Sequence, residues 1–81
     1  MARVVLPQAL TVRAGGQSEH DVDGRNVRAL VAALEARFPG LGQELEGRVA
    51  VAIDGEIFND PMLEAVGPDS EVHFLPRVGG G

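Results

Sequence analysis

Residues 26–40 read NVRALVAALEARFPG and contain the clearest structural signal in the chain. Apolar side chains recur there at intervals of three and four residues, which places them on one face of an α-helix. They are Val27, Leu30, Val31, Leu34 and Phe38. Asn26 is a suitable N-cap, and the Pro39-Gly40 pair is typical of a helix end. The sequence therefore predicts one amphipathic helix at this place.

The segment before the helix has the pattern of a β-hairpin. Residues 4–6 are an apolar, β-branched run that Pro7 interrupts, and residues 10–13 resume the run. The Gly15-Gly16 pair supplies a turn. Residues 18–22 alternate in polarity, so we expect them to return as the second strand.

Three short strands are predicted after the helix. Residues 48–53 are a strand with alternating faces, and Asp54-Gly55 predicts a type I′ hairpin turn into residues 56–58. Leu41 and Leu45 are expected to pack inward before these strands. Residues 71–75 form the last strand, with Val72 and Phe74 facing the helix and the alternate side chains facing away.

This order of elements predicts an α+β fold of the β-grasp type, in which one main helix packs on a small mixed sheet. The expected domain covers residues 1–76, and residues 77–81 form a flexible tail. The expected core is Val4, Leu6, Val12, Val27, Leu30, Val31, Leu34, Phe38, Val51, Ile53, Val72 and Phe74.

Composition limits the possible functions of the 81 residues. No cysteine is present, which excludes disulfides, thiolate metal sites and a cysteine nucleophile. No lysine is present either, because all seven basic residues are arginine. The net charge is −5, and no basic residue lies between Arg48 and Arg77. An acidic surface of this kind disfavours nucleic acid and favours a basic partner protein.

The length predicts a single domain with one small core. No segment is long enough and apolar enough to span a membrane, and the first residues lack the pattern of a signal peptide. We therefore expect a cytoplasmic protein that does not bind membranes.

The chain lacks the pattern of an enzyme. His20 and His73 are its only histidines, and both are expected on the surface. The acidic residues do not have the spacing of metal ligands, and the Gly15-Gly16 pair lacks the lysine and the following helix of a phosphate-binding loop. We expect a protein that is a carrier or the substrate of another enzyme. We expect no catalytic site, metal or cofactor of its own.

The last residues offer a different kind of chemistry. Gly79, Gly80 and Gly81 have no side chains, so they could thread a narrow channel and present a carboxylate to a partner's active site. From Pro76 the extended thread reaches about 15–18 Å. A frayed end without function is the alternative. Leu75 is expected to be exposed near this tail, with Ile57 as an apolar neighbour, and together they favour a docking patch.

Two segments also carry a resemblance to a known family. Residues 67–72 (GPDSEV) and residues 74–81 (FLPRVGGG) are similar to the corresponding parts of the MoaD/ThiS family. These are small ubiquitin-like sulfur carriers that end in a diglycine. The resemblance covers essentially the whole chain. The tail departs from the family at Gly79, where alanine is common, and at Arg77, where an uncharged residue is common.

The resemblance implies a two-step activation by a MoeB/ThiF-like enzyme that uses ATP and Mg. The enzyme adenylates the carboxylate of Gly81, and a sulfur nucleophile then displaces AMP to leave a thiocarboxylate. Val78, Gly79 and Gly80 would be the threading residues. Partner docking would involve Ile57, His73, Leu75, Pro76 and Arg77.

The early segments 6–10 and 14–17 are similar to CysO-type carriers. That similarity implies a PLP-dependent cysteine synthase as the sulfur acceptor and a metal-dependent protease that releases the product. The molybdopterin synthase large subunit, thiazole synthesis, tRNA thiolation and natural-product pathways are the other acceptors that the family implies. A protein modifier joined to target lysines and a plain binding domain remain the rival functions.

Overall fold

The computed structural model describes residues 1–46 and 49–76. In chain order these residues form β1 (Ala2–Val5), α1 (Gln8–Thr11), β2 (Glu19–Val22), α2 (Val27–Arg37) and α3 (Leu41–Glu46). They are followed by β3 (Val49–Ile53), β4 (Glu56–Phe58) and β5 (Glu71–Pro76). The strands make one mixed sheet in the order β2-β1-β5-β3-β4. β1 and β5 are parallel, and the other neighbours are antiparallel.

The predicted main helix is confirmed as α2, together with its N-cap at Asn26 and its end before Gly40. The Asn26 side chain accepts a hydrogen bond from the backbone N–H of Ala29 at 2.8 Å, which satisfies one of the free donors of the first turn. After the helix, Gly40 adopts a positive φ of 98°, a conformation that favours glycine. Glu35 then accepts hydrogen bonds from the N–H groups of Gly40 and Gly42, which joins α2 to α3.

The β3–β4 hairpin is also confirmed. Asp54 and Gly55 have φ angles of 49° and 91°, the two positive values that a type I′ turn requires. The Asp54 carboxylate accepts a hydrogen bond from the backbone N–H of Glu71 at 2.9 Å, which ties the turn to the start of β5. Arg48, the first residue of the predicted strand, lies outside the described residues.

The prediction that residues 10–13 resume the first strand is wrong. β1 ends at Val5, and Gln8–Thr11 form the short helix α1, with Pro7 in an extended conformation as its N-cap. Proline has no N–H for the sheet ladder but is well suited to precede a helix, and the following residues have good helix propensity. The hairpin itself is confirmed, because β1 and β2 pair antiparallel around this insertion.

The core lies between the sheet and the helices α2 and α3 and includes most of the predicted residues. Val12 is a wrong prediction, since it is 80% exposed at the end of α1. Phe38 is half-buried and packs against the core. Leu41 and Leu45 are buried as expected, and Ala2, Ala14, Val22, Val49 and Val66 join the core as well.

His20 is a further correction, because it is buried and not on the surface. Its Nε2 atom lies 2.8 Å from the backbone oxygen of Gln17, and its ring meets Phe38 edge-on at a centroid distance of 5.4 Å. Alternation along β2 turns this residue inward, opposite Val4, so it serves as a hydrogen-bonded core side chain. Among the described helices, none is long and apolar enough to cross a membrane.

Candidate functional site

The sheet has a second face, directed away from α2, that holds most of the predicted docking residues. The pairing register places Ile57, Ala52, His73 and Val5 in one row across four strands. Leu75 lies beside Ala50 in the next row. We call this group the apolar patch and define it as Val5, Ala50, Ala52, Ile57, His73 and Leu75.

The apolar patch is only partly covered by the molecule itself. Ile57 is 62% exposed, and Val5, Ala52, His73 and Leu75 are half-buried. Leu75 is therefore less exposed than the sequence predicted, because it lies in the middle strand with Ala50 of β3 beside it. Apolar side chains grouped on an open sheet face are typical of a protein–protein contact.

A charged strip borders the apolar patch at the Met1 end of the same face. Arg3 forms a salt bridge with Glu19 and lies in register between Asp21 and Glu71. Three acidic side chains thus surround one basic side chain on this part of the sheet. The strip carries net negative charge, and it complements a partner that has a basic rim around an apolar centre.

His73 connects the apolar patch to the charged strip. Its Nε2 atom lies 2.6 Å from the Glu71 carboxylate, and both side chains are substantially exposed. This hydrogen bond, with the added charge of Arg3, holds the pKa of the Glu71 carboxyl below its usual range. The carboxylate therefore stays ionised next to the imidazole, and the exposed pair is available for contact with a partner.

The route to the tail begins in the centre of the sheet. β5 is the middle strand and ends at Pro76; β3 pairs with it as far as Pro76, whereas β1 pairs with it only as far as His73. Pro76 lies opposite Val49, on the face of Phe74, and not on the face of the apolar patch. Arg77, Val78, Gly79, Gly80 and Gly81 lie outside the described residues.

On the helix side, Pro76 contributes to a groove of about 520 Å³. The groove is lined by α1 and its N-cap, by α3 and by the first residue of β3. Its lining residues include Pro7, Ala9, Leu10, Glu44 and Val49. Pro76, the last described residue, therefore lies at the groove, one residue after Leu75 of the apolar patch.

The described residues contain no cluster of three or more His, Cys, Asp or Glu side chains that could hold a metal ion. Every buried side-chain polar atom among them has a hydrogen-bond partner. His20 is satisfied by a backbone oxygen, and His73 pairs with a carboxylate.

Sequence reasoning placed Ile57, His73 and Leu75 correctly on one face but did not identify Val5 as part of the patch. Val5 lies next to His73 only because β1 pairs in parallel with β5. The local signal for its orientation was present, since it alternates with the buried Val4. The strand that lies beside Val5 is known only from the order of the strands in the sheet.

The fold is similar to several solved structures. CysO from Mycobacterium tuberculosis superposes with a TM-score of 0.86 at 24% identity, covering 96% of this chain and 100% of that one. A chain of the Amycolatopsis orientalis BexX/CysO complex also gives 0.86 at 24% identity, with complete coverage of both chains. Small archaeal modifier protein 1 from Methanosarcina acetivorans gives 0.82 at 21% identity, covering 99% of this chain and 95% of that one.

These likenesses confirm the ubiquitin-like β-grasp fold that the order of elements predicted. Comparison with curated protein sequences gives no significant match. The ThiS family model, by contrast, matches residues 4–81, which is nearly the whole sequence and includes the three last glycines. The chain therefore belongs to the ThiS family.

Proposed function

We propose that this chain is a sulfur carrier whose Gly81 carboxylate is converted to a thiocarboxylate. The observation that carries the proposal is the ThiS family match, which runs through the glycine tail to residue 81. The described residues add a sheet that ends in the tail and an apolar patch beside it. The domain itself acts as a cosubstrate, and the partner proteins supply the catalysis.

The chemistry follows from the reactivity of a carboxylate. At neutral pH the Gly81 carboxylate is ionised and resists attack by nucleophiles. In the first step its oxygen attacks the α-phosphorus of ATP, held with Mg by the activating enzyme, and pyrophosphate leaves. In the second step a sulfur nucleophile attacks the carbonyl carbon, the C–O bond to AMP breaks, and AMP leaves with the electron pair. When the nucleophile is sulfide, the product is the thiocarboxylate itself. When it is an enzyme persulfide, the product is an acyl disulfide; a second enzyme thiol then attacks the enzyme sulfur of its S–S bond, which leaves the thiocarboxylate and an enzyme disulfide.

The tail residues have separate roles in this proposal. Gly79 and Gly80 are the narrow part of the thread, and Val78 precedes them at the channel entrance. The absence of side chains at the glycines lets the backbone approach the nucleotide closely. Arg77 follows Pro76 in the sequence, and in this proposal its guanidinium pairs with a carboxylate of the partner.

Docking of a MoeB/ThiF-like activating enzyme is assigned to the apolar patch. Ile57, His73 and Leu75 are on the same side of the sheet, and Pro76 is at the end of the middle strand. A partner that covers this face lies next to the end of β5, after which the tail follows in the sequence. The acidic residues at the border would orient a partner with a basic rim.

For the sulfur acceptor we propose a PLP-dependent cysteine synthase, with a metal-dependent protease that releases cysteine from the tail. The similarity of two solved structures that contain CysO supports this branch. The molybdopterin synthase large subunit and the acceptors of thiamine, tRNA or natural-product sulfur remain alternatives with the same carrier chemistry. Because activation requires ATP, we expect the protein to work in the cytoplasm.

The decisive experiment is incubation of the 81-residue chain with a MoeB/ThiF-like enzyme, Mg-ATP and sulfide, followed by intact mass spectrometry. A thiol-alkylating reagent is needed, because oxidation of Met1 or Met62 gives nearly the same mass gain as replacement of oxygen by sulfur. With no cysteine in the chain, one alkyl group mapped to Gly81 is the expected result.

A chain that lacks residues 79–81 is the matched control and should remain unlabelled while it folds normally. Equal labelling of this truncated chain, which ends in the carboxylate of Val78, would show that Gly79, Gly80 and Gly81 are not required. No labelling of the full chain by several activating enzymes would contradict the sulfur-carrier proposal itself.

A second candidate function is that of a protein modifier, with Gly81 joined to lysine side chains of other proteins. The structural likeness to small archaeal modifier protein 1 favours keeping this candidate. It predicts a ladder of cellular conjugates that survives denaturation and contains the chain's tail peptide. A free thiocarboxylate pool without such conjugates would contradict it.

A further inference from the structure

β2 forms one edge of the sheet, and its outer side is open. Within the described chain, the strand order β2-β1-β5-β3-β4 gives β2 a neighbour on the side of β1 alone. An edge strand presents unpaired N–H and C=O groups on its outer side, and these groups can pair with a strand of another chain. The outer side of β2 is therefore a candidate docking edge.

The hydrogen bonds between β1 and β2 show which backbone groups point to the open side. The Leu6 N–H donates to the Ser18 oxygen at 2.8 Å, in the register that pairs Val4 with His20. Bonded and non-bonded pairs alternate along an antiparallel ladder, so His20 and Val22 also direct their backbone groups toward β1. The residues between them direct theirs away from β1.

The N–H and C=O groups of Glu19 and Asp21 therefore lie on the open side. Arg3, which is opposite Asp21, supports this assignment from the other side of β1. Its N–H donates to the Ser70 oxygen at 2.9 Å, toward β5 and not toward Asp21. Within residues 1–46 and 49–76, no backbone hydrogen bond is formed to the outward groups of Glu19 and Asp21.

The side chains of Glu19 and Asp21 are exposed on the face of the apolar patch, whereas His20 and Val22 are buried on the helix side. Arg3 forms a salt bridge with Glu19, and the three charged side chains together are net negative. A strand that pairs antiparallel with β2 places one residue directly opposite each acidic residue, with its side chain on the same face. Opposite charges at such positions stabilise the pairing, so the edge favours basic residues there.

The same charges disfavour pairing of β2 with a second copy of this chain. In an antiparallel register centred on His20, the Glu19 of each copy lies opposite the Asp21 of the other. Like charges directly opposite one another destabilise a strand pair. Charges on an edge strand prevent self-association in this way, and they leave the edge open to a partner of opposite charge.

The helix side of the edge determines which residue fits between the two basic positions. That residue would lie opposite His20 in a non-bonded pair, where side chains approach most closely. The His20 ring meets the half-buried ring of Phe38 edge-on at a centroid distance of 5.4 Å. An apolar side chain at this position would extend the contact of the two rings and cover them from water. The edge therefore fits a segment in which one apolar residue separates two basic residues.

We propose that β2 docks an extended segment of a partner protein, which pairs antiparallel with Glu19–Val22 and carries basic residues opposite Glu19 and Asp21 with an apolar residue between them. The edge is continuous with the apolar patch, because Glu19 lies beside Val5. A partner that covers the patch can therefore add this strand to the same interface. The inference does not depend on the chemistry proposed for Gly81.

The first test titrates two peptides into the isotope-labelled natural chain. Acetyl-TVKVKVT-amide has the basic–apolar–basic pattern, and acetyl-TVEVEVT-amide is its acidic counterpart. Since a single added strand forms few hydrogen bonds, we expect the basic peptide to bind with a Kd of about 0.1–1 mM and the acidic one at least about tenfold more weakly. NMR measures both affinities, and the amide signals of Glu19 and Asp21 should shift most.

Methylation of peptide nitrogens separates strand pairing from simple charge attraction. In the proposed register, the backbone N–H groups of the two lysines face β2, whereas that of the central valine faces solvent. N-methylation of the lysine backbone nitrogens should weaken binding at least about tenfold, because it removes the donors at the interface. N-methylation of the central valine is the matched control and should change the Kd by less than about twofold, since it leaves those hydrogen bonds intact.

Two charge variants locate the binding edge. Asp21→Lys should weaken binding of the basic peptide at least about fivefold and strengthen binding of the acidic one, because the cross-strand charge pair is reversed. Asp60→Lys makes the same charge change at an exposed residue that follows β4, at the other edge of the sheet. It should change both affinities by less than about twofold, because salt screens distant charges.

Several results would overturn the inference. Equal loss with the two methylated peptides would show charge attraction without the proposed pairing, and a greater loss with the valine-methylated peptide would show parallel pairing. Equal affinities of the Asp21 and Asp60 variants would place the peptide elsewhere. Amide shifts in β2 that depend on protein concentration without peptide would identify a second copy as the occupant. Absence of binding at several millimolar peptide would show that the edge does not dock such a strand.

The peptide experiments use the natural chain, so they decide the inference even when a variant does not fold. The sulfur-carrier proposal is tested separately by labelling at Gly81, and neither result determines the other.

Discussion

Ile57 is the most exposed member of the apolar patch, and it gives the cleanest single-residue test of docking. Ile57→Glu places a charge on the open face without entering the core, so the free energy of unfolding should change by less than about 0.5 kcal/mol. We expect its affinity for the activating enzyme to fall at least about tenfold, because the apolar contact is lost and a charge is desolvated. Isothermal calorimetry measures the affinity.

Val12→Glu is the matched control for this substitution. Val12 is 80% exposed at the end of α1 and is not on the open face of the sheet. The Val12→Glu variant should bind the activating enzyme with the same affinity as the natural sequence. Equal binding by the Ile57 variant would exclude Ile57 from the interface, and equal loss in both variants would point to a general charge effect.

Glu71 and His73 give a prediction for pH dependence. The hydrogen bond from His73 lowers the pKa of Glu71, and the charge of Asp54 opposes this effect. A carboxyl whose pKa is depressed in the folded state contributes stability above its unfolded pKa and loses it as pH falls through the folded pKa. This contribution is small here because both side chains are exposed.

His73→Gln should therefore raise the pKa of Glu71 toward its ordinary value, as measured by NMR titration of the side-chain carboxyl. The stability of that variant should fall less steeply with acid below the usual carboxyl range. Asp54→Asn should move the pKa of Glu71 in the opposite direction. An unchanged pKa in His73→Gln would show that the pair does not form in solution.

At the scale of elements, the β3–β4 turn depends on Gly55. Its φ of 91° disfavours any residue with a Cβ, although no atom lies within 4 Å of the position where that carbon would be. Gly55→Ala should cost about 1–2 kcal/mol of unfolding free energy through backbone strain alone. Denaturant unfolding measures this value. Asp54→Asn is the control and should be nearly neutral, because asparagine tolerates the same conformation.

The elements differ in how well local sequence predicted them. α2 was predicted with its N-cap, because the helical period, Asn26 and the Pro39-Gly40 stop all act within a few residues. α1 was missed, because a four-residue helix has too few residues to show a period. Leu10 in this helix and Val12 directly after it fit a strand equally well, and of these two only Leu10 packs against the core.

For the whole molecule, stability should depend on the sheet–helix core and not on the tail. An 81-residue domain has about 4–12 kcal/mol of unfolding free energy. Phe74 is 2% exposed, and Phe74→Ala should remove about 3–5 kcal/mol, enough to unfold a large fraction of molecules in a marginal domain. Deletion of residues 77–81 should change the unfolding free energy by less than about 0.5 kcal/mol.

Thermal and urea unfolding of the two variants checks this contrast. A loss of more than about 1 kcal/mol on deletion would show that residues 77–81 contribute to the domain. The proposed division into a domain of residues 1–76 and a separate tail would then be wrong.

Local signals in the sequence were sufficient for α2, for the Asp54-Gly55 turn and for the two faces of β5. Each of these depends on backbone preferences and on apolar spacing over a few neighbouring residues. The three last glycines, which the family model covers, were likewise visible in the sequence itself. The order of the strands was not visible in the local sequence, because pairing between distant segments is decided by how the whole sheet covers the helix.

The sheet order brings Val5, His73 and Ile57 into one row, and the packing of α2 on the sheet places Phe38 at the ring of His20. It also places Met1 and Pro76 at opposite ends of a parallel pair. No local pattern contains these relations, since a residue's period determines which face it occupies but not which strand lies beside it. The neighbouring strand is selected by burial of the common core, and burial is a property of the folded chain.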